Sequence, residues 1–216
     1  MAIELYVFPP SPRAFRVLAV ANHLDLPYQI RIVDLRKGEQ RAPAYAAMNP
    51  NMRMPMLKDG DYVLWESEAI LHYLAQQRPE AGLLPLDERE RLNVTRWQFW
   101  DMAHWDSSCA IFVFEHVVKP VLLGVPEVDP AAIARGEESF HRAARVLDGQ
   151  LSRNEFVAGS KLTLADFSIG SAMTMAAMAQ YPVQEYRSIA RWTRTLEALP
   201  AWKCTLQQQA EYMAKG

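Results

Sequence analysis

Three short stretches of this chain hold residue types that could bind and orient a small peptide. The first is Met54-Pro55, inside Asn49-Pro50-Asn51-Met52-Arg53-Met54-Pro55-Met56-Leu57. A proline that opens an apolar, strand-like run removes one ladder donor, and it marks an edge, a bulge or a cis bond. A cis bond here would turn the amide and carbonyl of Met54 outward, where an extended peptide can pair with them as one more strand. The second stretch is Glu66-Ser67, at the start of a helical pattern, where the first backbone amides lack partners and attract a carboxylate. The third is Ser11-Pro12, which reads as a helix N-cap and first helical position. A strand-like clamp beside an anion site describes a receptor for a small acidic peptide.

The elements that must carry these residues fall into two groups. Ile3 to Phe8 alternates as a strand stopped by Pro9-Pro10, and Phe15, Val17, Leu18, Ala21 and Leu24 follow at helical spacing. Tyr28 to Leu35 reads as a second strand. Met54 to Leu57 and Tyr62 to Leu64 flank the turn signal Asp59-Gly60 and should be antiparallel neighbours. A helix with Ala69, Ile70, Tyr73 and Leu74 inward completes an α/β domain over residues 1–80. Pro79 to Pro85 is a linker, and residues 88–216 read as an all-helical domain. Its helices are expected from Glu88 to Lys119 with Pro120 at the end, from Pro130 to Leu151, from near Thr163, from Val183 to Ala198, and from Ala201 to Met213. Thr163 and Asp166 have the spacing of a capping box.

Composition narrows the function. Half of the 216 residues are apolar, which supports a full core, and the net charge of −2 offers no broad field for nucleic acid or an anionic membrane surface. The opening residues lack a basic cluster and are broken by Glu4 and two prolines, so neither a signal peptide nor an anchor is expected, and the location implied is cytoplasmic. Cys109 and Cys204 are far apart, in no Cys-x-x-Cys arrangement, and are expected to be buried and inert. The histidines show no metal-ligand spacing, so no metal is expected.

Three segments taken in order carry a family likeness: Asn49 to Leu57 with its Met-Pro, the run Trp65-Glu66-Ser67-Glu68-Ala69-Ile70-Leu71-His72-Tyr73-Leu74, and Gly159-Ser160-Lys161-Leu162-Thr163-Leu164-Ala165-Asp166. With them the chain resembles the cytosolic glutathione transferases over essentially its full length. The spacing of Ser11, Gln40-Arg41, Arg53-Met54 and Glu66-Ser67 is similar to that of the serine-type group, phi-like or a bacterial relative. The resemblance implies a thioredoxin-like N-terminal domain, an all-helical C-terminal domain, glutathione as co-substrate and a homodimer.

Residue by residue, it implies that the Met54 backbone, set by Pro55, pairs with the cysteinyl part of glutathione. Glu66 takes the α-ammonium, and the Ser67 hydroxyl with nearby helix amides takes the α-carboxylate. Gln40 and Arg41 match positions that grip the glycyl carboxylate, where the plant group more often has His-Lys, and Arg53 can reach either carboxylate. Ser11, followed by Pro12, is the expected catalytic residue. Its hydroxyl can accept from the helix amide as a cap while donating to the glutathione sulfur, which favours thiolate. Tyr6 competes for that role but lies in mid-strand and is assigned to packing. Phe8, Trp105, Ser108 and Phe112 are expected at a pocket for a soft, apolar electrophile. The implied activity is conjugation of the glutathione thiolate, with peroxide reduction as a side activity. The alternative is a non-catalytic protein of the same fold that carries ligands or binds a partner.

Overall fold

In the computed structural model, residues 3–214 are described. Their contacts divide the chain into one unit of Met1–Leu84 with Ala198–Gly216 and another of Pro85–Glu197.

The first unit is built on a four-stranded sheet, β1 (Ile3–Val7), β2 (Tyr28–Ile32), β3 (Met56–Asp59) and β4 (Tyr62–Trp65), in the order β2-β1-β3-β4. Strand β1 is parallel to β2 and antiparallel to β3, and β3 is antiparallel to β4. Alternation in β1 buries Ile3, Leu5 and Val7 on one face. Helix α1 (Pro12–His23) buries a continuous run from Ala14 to Ala21, and α3 (Ser67–Gln76) buries Ile70, Leu71 and Leu74. The short α2 (Pro43–Met48) contributes buried Tyr45, which packs with Val33 and Met56.

Two strands depart from their sequence patterns. β2 stops at Ile32 rather than Leu35, because the Asp34 carboxylate accepts the Arg36 amide at 2.9 Å and the Asp34 amide donates to Glu39 at 2.7 Å, which bends the chain out of the ladder. β3 begins at Met56, leaving Met54 and Pro55 outside the ladder. The hairpin loop is Gly60-Asp61, with Asp59 still paired to Tyr62, and Gly60 supplies the left-handed conformation at φ 59°.

The final helix α10 (Pro200–Ala214) belongs to this first unit, not to the helical one in which the sequence pattern places it. Trp202 of α10 meets Phe15 of α1 edge-on at 4.6 Å, and Asn22 donates to Thr205 at 2.8 Å.

The second unit is helical. α4 (Glu88–Trp100), α5 (Asp106–Val113) and α6 (Lys119–Leu122) run on through two wider turns, Asp101–Trp105 and Phe114–Val118, as one continuous helix. Pro120 does not end it. The Lys119 amide reaches back five residues to the Phe114 carbonyl, so the ladder is already re-routed where the proline offers no amide. Against this helix packs α7 (Pro130–Leu151), with Gly136 so close to Ile111 that a Cβ there would stand 3.0 Å from it.

Helix α8 (Leu164–Ser171) opens on the expected capping box, the Asp166 carboxylate accepting the Thr163 amide at 2.9 Å. α9 (Arg187–Ala198) starts four residues later than its pattern, where the Asp148 carboxylate of α7 accepts the Ser188 and Ile189 amides at 2.8 and 3.0 Å. Of the two cysteines, Cys109 is buried as expected, whereas Cys204 on α10 is exposed.

Candidate glutathione site

The strand order brings the sequence-predicted residues of the first unit to one end of its sheet. Val7 pairs with Ile32, Tyr6 with Met56, and Met56 with Trp65. The loop to Ser11 leaves that end from β1, the turn carrying Gln40 and Arg41 follows from β2, Arg53-Met54-Pro55 enters β3 there, and Glu66-Ser67 leaves β4 there. Antiparallel pairing of β3 with both neighbours produces this, because it puts the start of β3 beside the finish of β1 and β4.

Ser11 occupies the N-cap position of α1 with extended backbone at φ −74° and ψ 131°, and Pro12 is the first helical residue. The expected side-chain cap does not form: the Ser11 hydroxyl makes no bond to the helix amides. The main chain alone fixes the residue, its amide donating to the Phe8 carbonyl at 2.9 Å and its carbonyl accepting the Phe15 amide at 2.9 Å. Among the described residues the hydroxyl carries no hydrogen bond, at a half-buried position by a positive helix end.

The Met54-Pro55 bond is cis. Pro55 is buried, and the segment before it is pinned at the Arg53 carbonyl, which accepts from the Tyr45 hydroxyl at 2.6 Å and from the Asn49 amide at 2.7 Å. Burial pushes the Tyr45 phenol up to about 12, so it remains a donor across the neutral range. Among the described residues, the Met54 amide and carbonyl carry no hydrogen bond, leaving one unpaired unit of extended chain at the mouth of the ladder.

Glu66 lies at φ 74° and ψ 119°, an uncommon conformation for a residue with a side chain. Such backbone persists where the surroundings hold it, and it concentrates at ligand sites. Its carbonyl accepts the Ile70 amide at 3.0 Å, while its side chain is exposed and takes no part in capping α3. Ser67 is buried at the first helical position. Behind it, Glu68 forms an ion pair with fully buried Arg16 of α1.

Gln40 sits in the single turn Glu39–Arg41 with its side-chain carbonyl oxygen buried and unbonded, while Arg41 and Arg53 are exposed. Tyr6 stays in mid-strand, donating to Glu4 at 3.3 Å and packing on Tyr45, as its assignment to packing requires.

The residues expected at an electrophile pocket are placed differently. Trp105, Ser108 and Phe112 are core residues of the second unit. The Trp105 indole donates to the Ile169 carbonyl at 3.1 Å, Ser108 donates to the Trp105 carbonyl at 2.8 Å, and both aromatic rings close on Phe140 at 5.0 and 5.7 Å. Helical spacing alone does not separate a cleft-facing aromatic from one filling the interior. Phe8 is buried too, its ring meeting Tyr212 of α10 at 6.1 Å.

Sequence reasoning missed Tyr45, Asn49, Gln209 and Tyr212. Asn49 had a local signal, since Asn-Pro-Asn marks a turn whose first side chain caps the following backbone: Asn49 also accepts the Asn51 amide at 3.1 Å. The others act over contacts that no local pattern encodes.

Comparison with known proteins identifies the family. The chain matches the family Glutathione S-transferase, N-terminal domain, over residues 1–76, and Glutathione S-transferase, C-terminal domain, over residues 105–200. It is 33% identical over 212 residues to Glutathione S-transferase 3 of Zea mays, covering 94% of this chain and 93% of the relative. Glutathione S-transferase theta-1 of Homo sapiens is 32% identical over 201 residues, 92% of this chain and 83% of the relative. Among solved structures, glutathione transferase URE2P6 of Phanerochaete chrysosporium in complex with oxidized glutathione superposes with a TM-score of 0.86 at 28% identity, covering 97% and 96% of the two chains. Glutathione transferase F2 from Populus trichocarpa shares the fold at a TM-score of 0.90 and 24% identity, over 97% and 99% of the chains. With both domains matched in order and full-length relatives above 30% identity, the chain belongs to the glutathione S-transferase family.

Proposed function

We propose that this protein is a glutathione transferase that uses Ser11 to hold the glutathione sulfur as thiolate and transfers it to soft, apolar electrophiles. The observation that carries the reading is the uncommitted Ser11 hydroxyl at the same sheet end as the unpaired Met54 backbone and the start of α3. In this reading the cysteinyl main chain of glutathione pairs with Met54. Glu66 takes the α-ammonium, Ser67 and the first α3 amides take the α-carboxylate, and Gln40, Arg41 and Arg53 meet the glycyl carboxylate.

A hydrogen bond donated by Ser11 and the positive end of α1 both favour thiolate over thiol, moving a thiol pKa from about 8.5 toward neutral. The thiol proton passes to water, and Ser11 keeps its own. The thiolate then attacks the carbon that bears the leaving group, the C–S bond forms, and a halide departs with the bonding electron pair. A hydroxyl at this position cannot form a mixed disulfide, which argues against reduction by thiol exchange. The same thiolate can reduce a hydroperoxide as a side activity. Detoxification in the cytoplasm by a homodimer fits this chemistry and completes the reading.

The test is retention on immobilised glutathione followed by conjugation of chlorodinitrobenzene, in the wild type and in Ser11→Ala. The variant is expected to bind glutathione with a KM within about twofold of wild type while turnover drops about threefold to tenfold, as the thiolate fraction falls with a pKa rise of about one unit. Equal turnover in the variant removes Ser11 from the mechanism, and no retention of the wild type rejects the reading as a whole.

A further inference from the structure

The last turns of α10 reach the loop that carries Ser11. Gln209 donates its side-chain amide to the Pro9 carbonyl. One helical turn on, Tyr212 lays its ring against Phe8 at 6.1 Å and takes a hydrogen bond from the Arg36 guanidinium at 3.3 Å. Arg36 also stands over the Tyr212 ring at 5.9 Å and is itself anchored on buried Asp34 by bonds of 3.0 and 2.9 Å. Both grips fall on the turn Phe8-Pro9-Pro10-Ser11, in which the Ser11 amide is bonded to the Phe8 carbonyl at 2.9 Å. Two consecutive prolines give the loop few amides with which to hold itself, so its position depends on partners from outside.

We propose that Gln209 and Tyr212 of the final helix are positioning residues for the thiolate: they fix the Phe8–Ser11 turn so that the Ser11 hydroxyl points at the bound sulfur. The inference rests on the assignment of Ser11 made above. Ser11 has no cap bond to orient its hydroxyl, so its aim is set by where the loop places the main chain. A shift of a few tenths of an ångström in a hydrogen bond to sulfur lowers the thiolate population without touching the contacts that bind the peptide.

The experiment is ultraviolet titration of the glutathione thiol in the binary complex, alongside kcat and KM, for Gln209→Leu, Tyr212→Phe, Ser11→Ala and the double variant Ser11→Ala with Gln209→Leu. Gln209→Leu is expected to raise the bound-thiol pKa by about one unit and lower kcat about threefold to tenfold, with KM for glutathione within about twofold. Tyr212→Phe keeps the ring and loses the hydroxyl, so it shifts the same quantities less, and it stands in should Gln209→Leu not fold. A residue acting through Ser11 has no further effect once that hydroxyl is gone, so the double variant matches Ser11→Ala, whereas a general loss of stability would multiply with it.

A wild-type thiol pKa in both α10 variants, or effects that multiply in the double variant, overturns the proposal. If Ser11→Ala shifts the thiol pKa and the α10 variants do not, only this inference falls. If Ser11→Ala itself leaves the thiol unchanged, the assignment of Ser11 falls and takes this inference with it.

Discussion

Arg16 in α1 is fully buried and paired with Glu68 in the first turn of α3. The two helices whose N-termini carry Ser11 and Ser67 are thus tied to each other close behind the site, at the second turn of α1 and the first turn of α3. Removing one partner from a buried pair takes from the other a share of its compensation in a poor solvent, which costs more than the pair contributes net.

Glu68→Ala is therefore expected to destabilise the protein by about 2–3 kcal/mol, at the lower end for a buried pair because the Glu68 side chain is 17% exposed. Urea unfolding measures it. A change under about 0.5 kcal/mol would show that solvent or neighbouring groups already satisfy the guanidinium.

Glu66 holds a positive φ of 74°, which glycine adopts at little steric cost. Relief of that conformation opposes the greater backbone freedom of glycine in the unfolded chain, so Glu66→Gly is expected to change stability by less than about 1 kcal/mol. Glutathione affinity should fall about tenfold, because the carboxylate proposed for the α-ammonium is gone. Calorimetric titration with glutathione decides it: unchanged affinity removes Glu66 from the site.

Tyr45 and Asn49 converge on the Arg53 carbonyl at 2.6 and 2.7 Å. Tyr45→Phe with Asn49→Ala leaves that carbonyl without both donors and loosens the chain unit that Met54 offers to a peptide. KM for glutathione is expected to rise about fivefold to thirtyfold, for about 1–2 kcal/mol of lost order, with kcat changed less. With the Tyr45 phenol at about 12, that contribution should be flat from pH 6 to 9; a pH-dependent loss across this range would contradict the assignment.

Asp166 accepts from the Val157 and Thr163 amides and from the Trp192 indole, each at 2.9 Å, with its carboxylate inside the second unit. Burial raises its pKa from 3.8 to about 6, a rise that these hydrogen bonds oppose. The folded state then binds more protons than the unfolded one between those values, so the Asp166 contribution to stability is greatest below about pH 4 and declines as pH rises to about 6. The decline should be roughly 3 kcal/mol. The difference in unfolding free energy between wild type and Asp166→Asn, followed over that range, should fall with rising pH. A difference that stays level or grows would place the folded pKa at or below its ordinary value.

The sequence by itself determined several elements whose signal is local. Ile3, Leu5 and Val7 alternate, Pro12 and Thr163 open helices, and Gly60 turns a hairpin, because periodicity, capping and turn chemistry act within a few residues. It also exposed Ser11-Pro12, Met54-Pro55 and Glu66-Ser67 as candidate site positions, since each sits at an element boundary where residue type is constrained, whereas Gln40-Arg41 was marked only by the family resemblance. Only the tertiary structure decided that these four meet at one sheet end, which follows from β1 lying between a parallel and an antiparallel neighbour.

Only the tertiary structure, likewise, drew α10 back onto the first unit, where Trp202 finds Phe15 and Gln209 finds Pro9, and sent Trp105 and Phe112 inward toward Phe140. A helical stripe specifies that a face is buried. Which surface covers it depends on apolar area and shape brought together from distant parts of the chain, and the hydrophobic effect carries no direction along the sequence.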